Sequence, residues 1–147
     1  MKALIQRVKS GKVSVAGKTI GEIGKGYVIL LGVKDGDSEK EVFQLSQKVV
    51  TLRIMSDEAG KMNKSILDVG GEILIISQFT LYADTSGGRR PSFIAAAKPE
   101  VAHTLYVQFI DELKRLGVRN VQTGSFGAYM NVSIENDGPV TILVESN

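Results

Sequence analysis

Two short polar stretches carry the residues that could take part in chemistry. The first, Ser77-Gln78-Phe79-Thr80, follows the apolar run Ile73–Ile76, so these side chains begin where a buried strand is expected to end. Strand ends that open into loops are frequent ligand sites, and two hydroxyls, an amide and several backbone N–H groups could converge here. Such groups suit the stabilisation of a developing oxyanion better than strong base catalysis. A strand that simply ends in small polar residues is the alternative interpretation.

The second stretch, Asn136-Asp137-Gly138-Pro139-Val140-Thr141, lies between two runs typical of strands, Met130–Glu135 and Val140–Glu145. Asn-Asp-Gly between strands indicates a tight hairpin. Pro139 complicates this interpretation because it has no N–H to donate to a sheet, and a Gly-Pro bond adopts the cis form at little cost. Such a pair can leave two consecutive carbonyl oxygens pointing outward. Taken alone, the stretch favours a hairpin loop that contains proline.

Several common chemistries are excluded by composition. The chain has no cysteine, which excludes disulfides, thiolate nucleophiles and Cys-ligated zinc. His103 is the only histidine, and its position in a predicted helix places it on the solvent flank, so we expect a structural role rather than a place in a Ser-His-Asp triad. Asp35, Asp37 and Asp57 lie in separate turns, and no glycine-rich loop matches a phosphate-binding pattern. We therefore expect neither a metal nor a cofactor.

Length and charge indicate an ordinary globular protein. The 147 residues suit one domain, expected to span 1–147, and 43% are hydrophobic while 23% are charged. The net charge of +2 does not by itself indicate a nucleic-acid binder, so any contact with a polyanion must come from a local patch. Charge follows the first residue too soon for a signal peptide, and no run is long enough to span a membrane. We expect a soluble, cytoplasmic protein.

Strands are predicted throughout the first 33 residues. The alternating Val13-Ser14-Val15 leads to a turn at Ala16-Gly17-Lys18, and Ile20–Ile23 returns from it. After a break at Gly24-Lys25-Gly26, Tyr27–Val33 is continuously apolar. This run predicts a strand that is covered on both faces.

Two amphipathic helices are predicted. The first covers about 38–52, where Ser38 and Glu41 fit a capping box. Its buried face is expected to consist of Val42, Leu45, Val49 and Leu52. The second begins near Pro99 and ends at Gly117, since proline favours the first turn and glycine ends helices. Its buried face is expected to consist of Val101, Leu105, Phe109, Leu113 and Leu116.

The remaining segments complete an α/β fold. A short strand is expected at Arg53–Met55, Lys61–Val69 receives no assignment, and Glu72–Ser77 is expected to be a central strand. Three β segments then close the chain: Val121–Gly124, Ala128–Glu135 and Val140–Val144. We predict a single α/β domain with a mostly antiparallel sheet, curled or split into two layers, and two main helices. Two helices cannot cover so much sheet, so we expect a homodimer.

Taken together, the two polar stretches resemble the signature motifs of the D-aminoacyl-tRNA deacylase family, S-Q-x-T and N-x-G-P-x-T. The resemblance extends to other segments in the same order along the whole chain. These segments are Met1–Val8, Leu67–Glu72, Gly88–Phe93 and Thr123–Ala128. Either motif alone would be weak, but both in order over the full length are specific.

The resemblance implies a homodimeric hydrolase that cleaves the ester between a D-amino acid and the 3′-terminal adenosine of tRNA, and that also accepts mischarged glycyl-tRNA. It further implies that Gly138-Pro139, in the cis form, is inserted from one subunit into the pocket of the other, with Arg7 holding it in place. An L-amino acid would aim its side chain at the two carbonyls and be rejected. Selection would then act by excluding the wrong ligand.

The resemblance assigns catalysis to Ser77, Gln78, Phe79 and Thr80. Our hypothesis is that backbone N–H groups near Phe79 and Thr80 hold the carbonyl oxygen, while the substrate's 2′-OH or a water assists proton transfer. Thr80 could instead be a nucleophile, although no base that would activate it lies nearby in sequence.

Further residues are candidates for binding the substrate. Five are expected to line the pocket for the terminal nucleotide and amino acid: Phe93, Phe126, Ala128, Met130 and Asn136. Arg89 and Arg90, together with Lys61 and Lys64, are candidates for contacts with the tRNA backbone, against the alternative of a solvated basic loop.

Two other classes of function remain open on sequence grounds. One is a small-molecule hydrolase or deaminase with a pocket between subunits and no RNA partner. The other is a non-catalytic RNA-binding module, which is disfavoured by the near-neutral charge and by the lack of a basic, aromatic-rich sheet face.

Overall fold

The chain forms eight strands, two α-helices and one short 3₁₀ helix, and the computed structural model describes residues 1–147. In chain order the elements are β1 (Lys2–Val15), β2 (Lys18–Ile23), β3 (Gly26–Gly32), α1 (Glu39–Thr51), β4 (Met55–Ser56), β5 (Met62–Lys64), β6 (Glu72–Ser77), the 3₁₀ helix (Phe79–Tyr82), α2 (Pro99–Arg115), β7 (Val121–Thr123) and β8 (Asn131–Glu145).

The main sheet is built around β1 and is mixed: three of its five strand pairings are antiparallel, in line with the prediction, and two are parallel, which the prediction did not include. The long β1 pairs antiparallel with β2, β3 and β8. By contrast, β3 pairs parallel with β6, and β6 pairs parallel with β7. The cause is that α1 and α2 carry the chain back across the sheet between these strands, and such crossovers produce parallel neighbours.

The sheet curls until its two ends, β2 and β7, approach each other. Of the two predicted shapes, curled or split into two layers, the curled one is present. A Cβ added at Gly21 in β2 would lie only 2.9 Å from the Thr123 carbonyl oxygen in β7. The curl separates two cores. A cluster of 22 buried residues lies between the sheet and the helices, and a cluster of six lies inside the curl. The expected double-sided burial of β3 is confirmed, since six of its seven residues are buried.

Both helices occur close to their predicted bounds. At the start of α1 the Ser38 backbone N–H and hydroxyl each donate to the Glu41 carboxylate at 2.7 Å, so the predicted capping box is present. The helix α2 starts at Pro99 and is followed by Gly117 at a φ of +104°. Val101 was expected in the core and is instead 45% exposed, because the first turn of α2 lies at the edge of the core.

The predicted hairpin around Gly138-Pro139 is wrong, because its two flanking runs are consecutive parts of the single strand β8. Both halves pair with the same neighbour: Asn136 lies opposite Val8, and Thr141 lies opposite Gln6. Four residues, 137–140, therefore bulge outward opposite Arg7 alone. The chain continues in its original direction, and the Gly138–Pro139 peptide bond within the bulge is cis.

Smaller differences occur where the chain makes tight turns. The strand expected at Arg53–Met55 is β4, two residues later, and the unassigned region contains β5. The segment expected to be extended from Ala128 begins only at Asn131, because the Ala128 N–H donates to the Ser125 carbonyl in a turn. Neither helix is both long enough and apolar enough to cross a membrane.

Candidate active site

The predicted catalytic stretch, Ser77 to Thr80, lies at the end of β6, as expected. The Gln78 backbone N–H still donates to the Leu31 carbonyl at 2.8 Å, so the pairing with β3 extends one residue beyond Ser77. The 3₁₀ helix then begins at Phe79, leaving Phe79 and Thr80 exposed. The first N–H groups of a helix have no partner within that helix, so this turn provides backbone donors at the surface.

Thr80 has an amide rather than a base as its neighbour. The Gln78 side-chain Nε2 donates to the Thr80 hydroxyl oxygen. An amide does not accept a proton at neutral pH, so this contact orients the hydroxyl without activating it as a nucleophile. No group of three or more His, Cys, Asp or Glu side chains is arranged to hold a metal ion.

Phe93 lies beside this strand end and connects it to the arginine loop. The rings of Phe79 and Phe93 are 5.1 Å apart between centroids, in an edge-to-face arrangement. Immediately before Phe93, Asp84 and Ser92 exchange backbone hydrogen bonds of 2.8 Å, which close the loop that carries Arg89 and Arg90. Both arginines are exposed at its tip. The basic loop is therefore anchored next to the exposed Phe79 ring.

The segment 124–130 lies along the other side of the same strand end. Thr123 in β7 pairs with Ile75 in β6, which places Gly124 beside Ile76 just before the polar stretch. A Cβ added at Gly124 would lie 2.6 Å from the Met130 sulfur and 3.1 Å from Ile76 Cδ1. This close packing fixes Met130, one of the predicted pocket residues, next to the end of β6.

Phe126 packs against two aromatic side chains of α2. Its ring centroid lies 5.0 Å from that of His103 and 5.7 Å from that of Tyr106. Tyr106 is buried, and its hydroxyl donates to the Ile75 carbonyl at 2.9 Å. Burial raises the pKa of Tyr106 to about 12, so the hydroxyl stays a hydrogen-bond donor. His103 is exposed, and its ring packs edge-to-face on Phe126.

The bulge in β8 exposes Gly138 and Pro139 to solvent, and hydrogen bonds fix the residues on either side of them. The Val140 backbone N–H donates to the Asn136 side-chain oxygen at 2.8 Å, and Asn136 Nδ2 donates to the Thr141 hydroxyl at 3.1 Å. Asn136 and Thr141 thus close the bulge from its two ends. Asn136, expected among the substrate-binding residues, lies here and not at the end of β6.

Arg7, on the neighbouring strand β1, holds the same bulge through its side chain. Its side chain is only 9% exposed, and its Nε donates to the Asp137 carbonyl oxygen at 3.0 Å. The Asp137 carboxylate lies 3.4 Å from the same nitrogen and provides an opposite charge. Arg7 therefore makes the contact with the Gly138-Pro139 segment that a holding role requires.

The two motifs do not meet within one chain. Ser77 pairs with Leu31, which pairs with Ala3, whereas the bulge faces Arg7, four residues farther along β1. Three strand spacings of about 4.8 Å and four residues of about 3.3 Å separate the motifs. This corresponds to roughly 20 Å along the sheet.

Sequence reasoning missed two groups that support these sites. Tyr106 lies one helical turn after His103, and this spacing could have identified it as a second contact of Phe126. The partners of Arg7 at Ile54 and Ser56 lie 47 and 49 residues away, and no local pattern indicates them.

Comparison with known proteins gives a consistent result. The sequence model of the D-Tyr-tRNA(Tyr) deacylase family matches residues 4–145. The chain is 59% identical to the D-aminoacyl-tRNA deacylase of Clostridium kluyveri, over 99% of this chain and 97% of that protein. It is 54% identical to that of Desulfatibacillum aliphaticivorans, over 99% of both chains.

Solved structures share the same architecture. A protein described as c-Myc DNA unwinding element binding protein superimposes with a TM-score of 0.95 at 42% identity, covering 100% of this chain and 99% of that one. A probable eukaryotic D-amino acid tRNA deacylase gives 0.84 at 18% identity, covering 98% of each chain, and supports the fold alone. With a family match over nearly its whole length and curated relatives above 50% identity, the chain belongs to the D-Tyr-tRNA(Tyr) deacylase family.

Proposed function

We propose that the protein hydrolyses the ester bond of D-aminoacyl-tRNA to release free tRNA and a D-amino acid, and that it also clears mischarged glycyl-tRNA. The observation that carries the proposal is the identity of 54–59% with proteins named D-aminoacyl-tRNA deacylase over 99% of the chain. Each of the two motifs has exposed residues that could contact a substrate: Phe79 and Thr80 in the first, and Gly138 and Pro139 in the second. The enzyme acts as one domain spanning 1–147, without a cofactor.

Selection for D-amino acids is assigned to the braced dipeptide. Gly138 and Pro139 are exposed, while Arg7 and Asn136 hold the residues on either side of them. A rigid pair of main-chain carbonyls would collide with an L side chain and repel its apolar atoms. A D side chain points away, and glycine has none, so one pocket serves many D-amino acids by exclusion.

A second copy of the chain brings the dipeptide to the pocket. The separation of roughly 20 Å between the motifs is too large for one protomer to use both on one aminoacyl group. The strand β8 pairs only with β1, which leaves its other edge unpaired along Asn131–Glu145. Leu143 on this strand is 50% exposed. A homodimer formed on this surface would bury Leu143 and present Gly138-Pro139 to the partner.

Catalysis relies on orientation and an oxyanion site. Backbone N–H groups of Phe79 and Thr80, at the start of the 3₁₀ helix, would bind the developing oxyanion. An aminoacyl ester is already activated, so the substrate's 2′-OH or a water can complete the proton transfers. Phe93 and Met130 lie beside this point, and together with Phe126 and Ala128 they would form the walls for the terminal adenosine.

The tRNA backbone would run along the arginine loop. Arg89 and Arg90 are exposed and are anchored next to Phe93 by the Asp84–Ser92 bridge. Replacing both by glutamine should reduce the slope of log Kd against log salt by roughly one unit per lost phosphate contact. The control is the double variant Lys18→Gln/Lys40→Gln, which removes two positive charges at exposed lysines outside the loop. An unchanged slope in the arginine variant would remove this loop from the interface.

Because its substrate is tRNA, we place the enzyme in the cytoplasm.

One assay separates this function from its rivals. Purified protein is incubated with D-tyrosyl-tRNA, L-tyrosyl-tRNA and free D-tyrosine methyl ester, and release of tyrosine is followed. Hydrolysis of D-tyrosyl-tRNA alone is expected. Hydrolysis of the methyl ester would indicate a small-molecule hydrolase, and binding of tRNA without hydrolysis would indicate an RNA-binding module. Equal hydrolysis of the two enantiomers would contradict the dipeptide filter.

A further inference from the structure

The side of Arg7 that faces away from the bulge is held by a second structural element. Arg7 Nη1 donates to the Ile54 carbonyl at 2.8 Å and lies 3.3 Å from the Ser56 hydroxyl oxygen. Ser56 belongs to β4, and Ile54 immediately precedes it. One guanidinium therefore joins the β4–β5 hairpin to the exposed dipeptide.

The geometry of a guanidinium makes this second attachment important. Its donors lie in one rigid plane, so contacts on one edge set the direction of the donors on the other. Arg7 Nη2 lies close to the dipeptide, since a Cβ added at Gly138 would be 3.3 Å from it. A rotation of the plane would therefore shift the groups that hold Asp137 and Gly138.

The hairpin is rigid enough to act as an anchor. Met55 in β4 is fully buried in the main core. The Asp57 carboxylate accepts hydrogen bonds from the Lys61 backbone at 2.8 Å and from the Asn63 side chain at 2.7 Å. These bonds close the turn between β4 and β5, so Ser56 has a defined position relative to the core.

We propose that the β4–β5 hairpin is part of the specificity machinery, with Ser56 as a positioning residue that acts through Arg7 on Gly138-Pro139. Ser56 acts without contacting the substrate. Its hydroxyl fixes the guanidinium plane, and the guanidinium fixes the carbonyls that reject L-amino acids. This inference rests on the proposed function, because it names a further determinant of the same selection.

The test is the ratio of kcat/KM for L-tyrosyl-tRNA to that for D-tyrosyl-tRNA. Ser56→Ala should raise the ratio roughly tenfold, since a hydrogen bond to a charged group is lost. Hydrolysis of the D substrate should stay within about twofold, because the catalytic end of β6 is untouched. Ser56→Thr keeps the hydroxyl and should restore the wild-type ratio. Ser10→Ala removes a hydroxyl that contacts Glu135 instead of Arg7, and it should change nothing.

A readout independent of catalysis accompanies the assay. NMR signals of the Arg7 Nε–H and of the Gly138 and Val140 amides should shift in Ser56→Ala and stay in place in Ser10→Ala. An unchanged ratio, whatever the NMR signals do, or an equal loss of rate on both enantiomers, would overturn the inference. A wild-type protein without D-specific hydrolysis would instead refute the proposed function. Should Ser56→Ala prove too unstable to assay, Asn63→Ala loosens the same turn, and an unchanged ratio there refutes the inference equally.

Discussion

At the scale of single residues, Thr80 decides between two catalytic schemes. Its only hydrogen-bonded side-chain neighbour is the Gln78 amide, which cannot remove a proton. If backbone donors and the substrate supply the catalysis, Thr80→Ala should lower kcat for D-tyrosyl-tRNA by no more than about tenfold. Single-turnover kinetics measures this directly. Thr104→Ala, at an exposed threonine of α2, is the control. A loss of several orders of magnitude would contradict this scheme and restore the hypothesis that Thr80 is a nucleophile.

Asp57, in the turn between β4 and β5, makes the stability of the folded protein depend on pH. The hydrogen bond from the Asn63 side chain, followed by that from the Lys61 backbone, lowers the pKa of Asp57. The folded state thus favours the carboxylate, and this stabilisation is present above the ordinary pKa of about 4 and is lost as pH falls through the lowered value. Asp57→Asn should make the decrease of Tm between about pH 5 and pH 2 shallower than in the wild type. A slope in Asp57→Asn equal to that of the wild type would contradict the assignment.

At the scale of elements, the parallel pairing of β3 with β6 depends on Gly26. A Cβ at this position would lie 1.8 Å from the Glu72 carbonyl oxygen, and a paired backbone cannot move aside. Gly26→Ala should therefore lower the free energy of unfolding by about 3 kcal/mol, measured by urea denaturation. Gly87→Ala is the matched control, because nothing lies within 4 Å of its added Cβ. Equal stability of the two variants would mean that the strands can separate locally at little cost.

At the scale of the whole molecule, the exposed edge at β8 predicts the state of assembly. Bulges and prolines interrupt sheet edges and disfavour continuous pairing with another strand, so a partner would meet the dipeptide and Leu143 instead. The wild type should sediment as a dimer, and Leu143→Glu should produce monomers that lose most deacylation activity. Val107→Glu introduces the same charge at an exposed valine of α2 and should remain dimeric. A monomeric, active wild type would contradict a filter supplied by a second subunit.

Local patterns in the sequence were sufficient for much of the fold. The capping box at Ser38 and Glu41, the apolar run of β3 and the polar end of β6 all depend on neighbours within a few residues. Periodicity, helix caps and turn residues act over such distances, which is why these predictions were accurate. The resemblance of the two motifs likewise identified the family before any contact was known, because family motifs are local strings.

Only the tertiary structure decided how distant segments combine. Asn-Asp-Gly-Pro has the local chemistry of a hairpin, yet both flanking runs pair with β1, and the long-range contact of Arg7 with Asp137 holds the bulge between them. The parallel pairing of β6 follows from a crossover that no local pattern encodes. The anchoring of Arg7 by Ser56 joins residues 49 positions apart. Sheet partners and buried guanidinium contacts are chosen by the global packing of the chain, so they become visible only when the fold is complete.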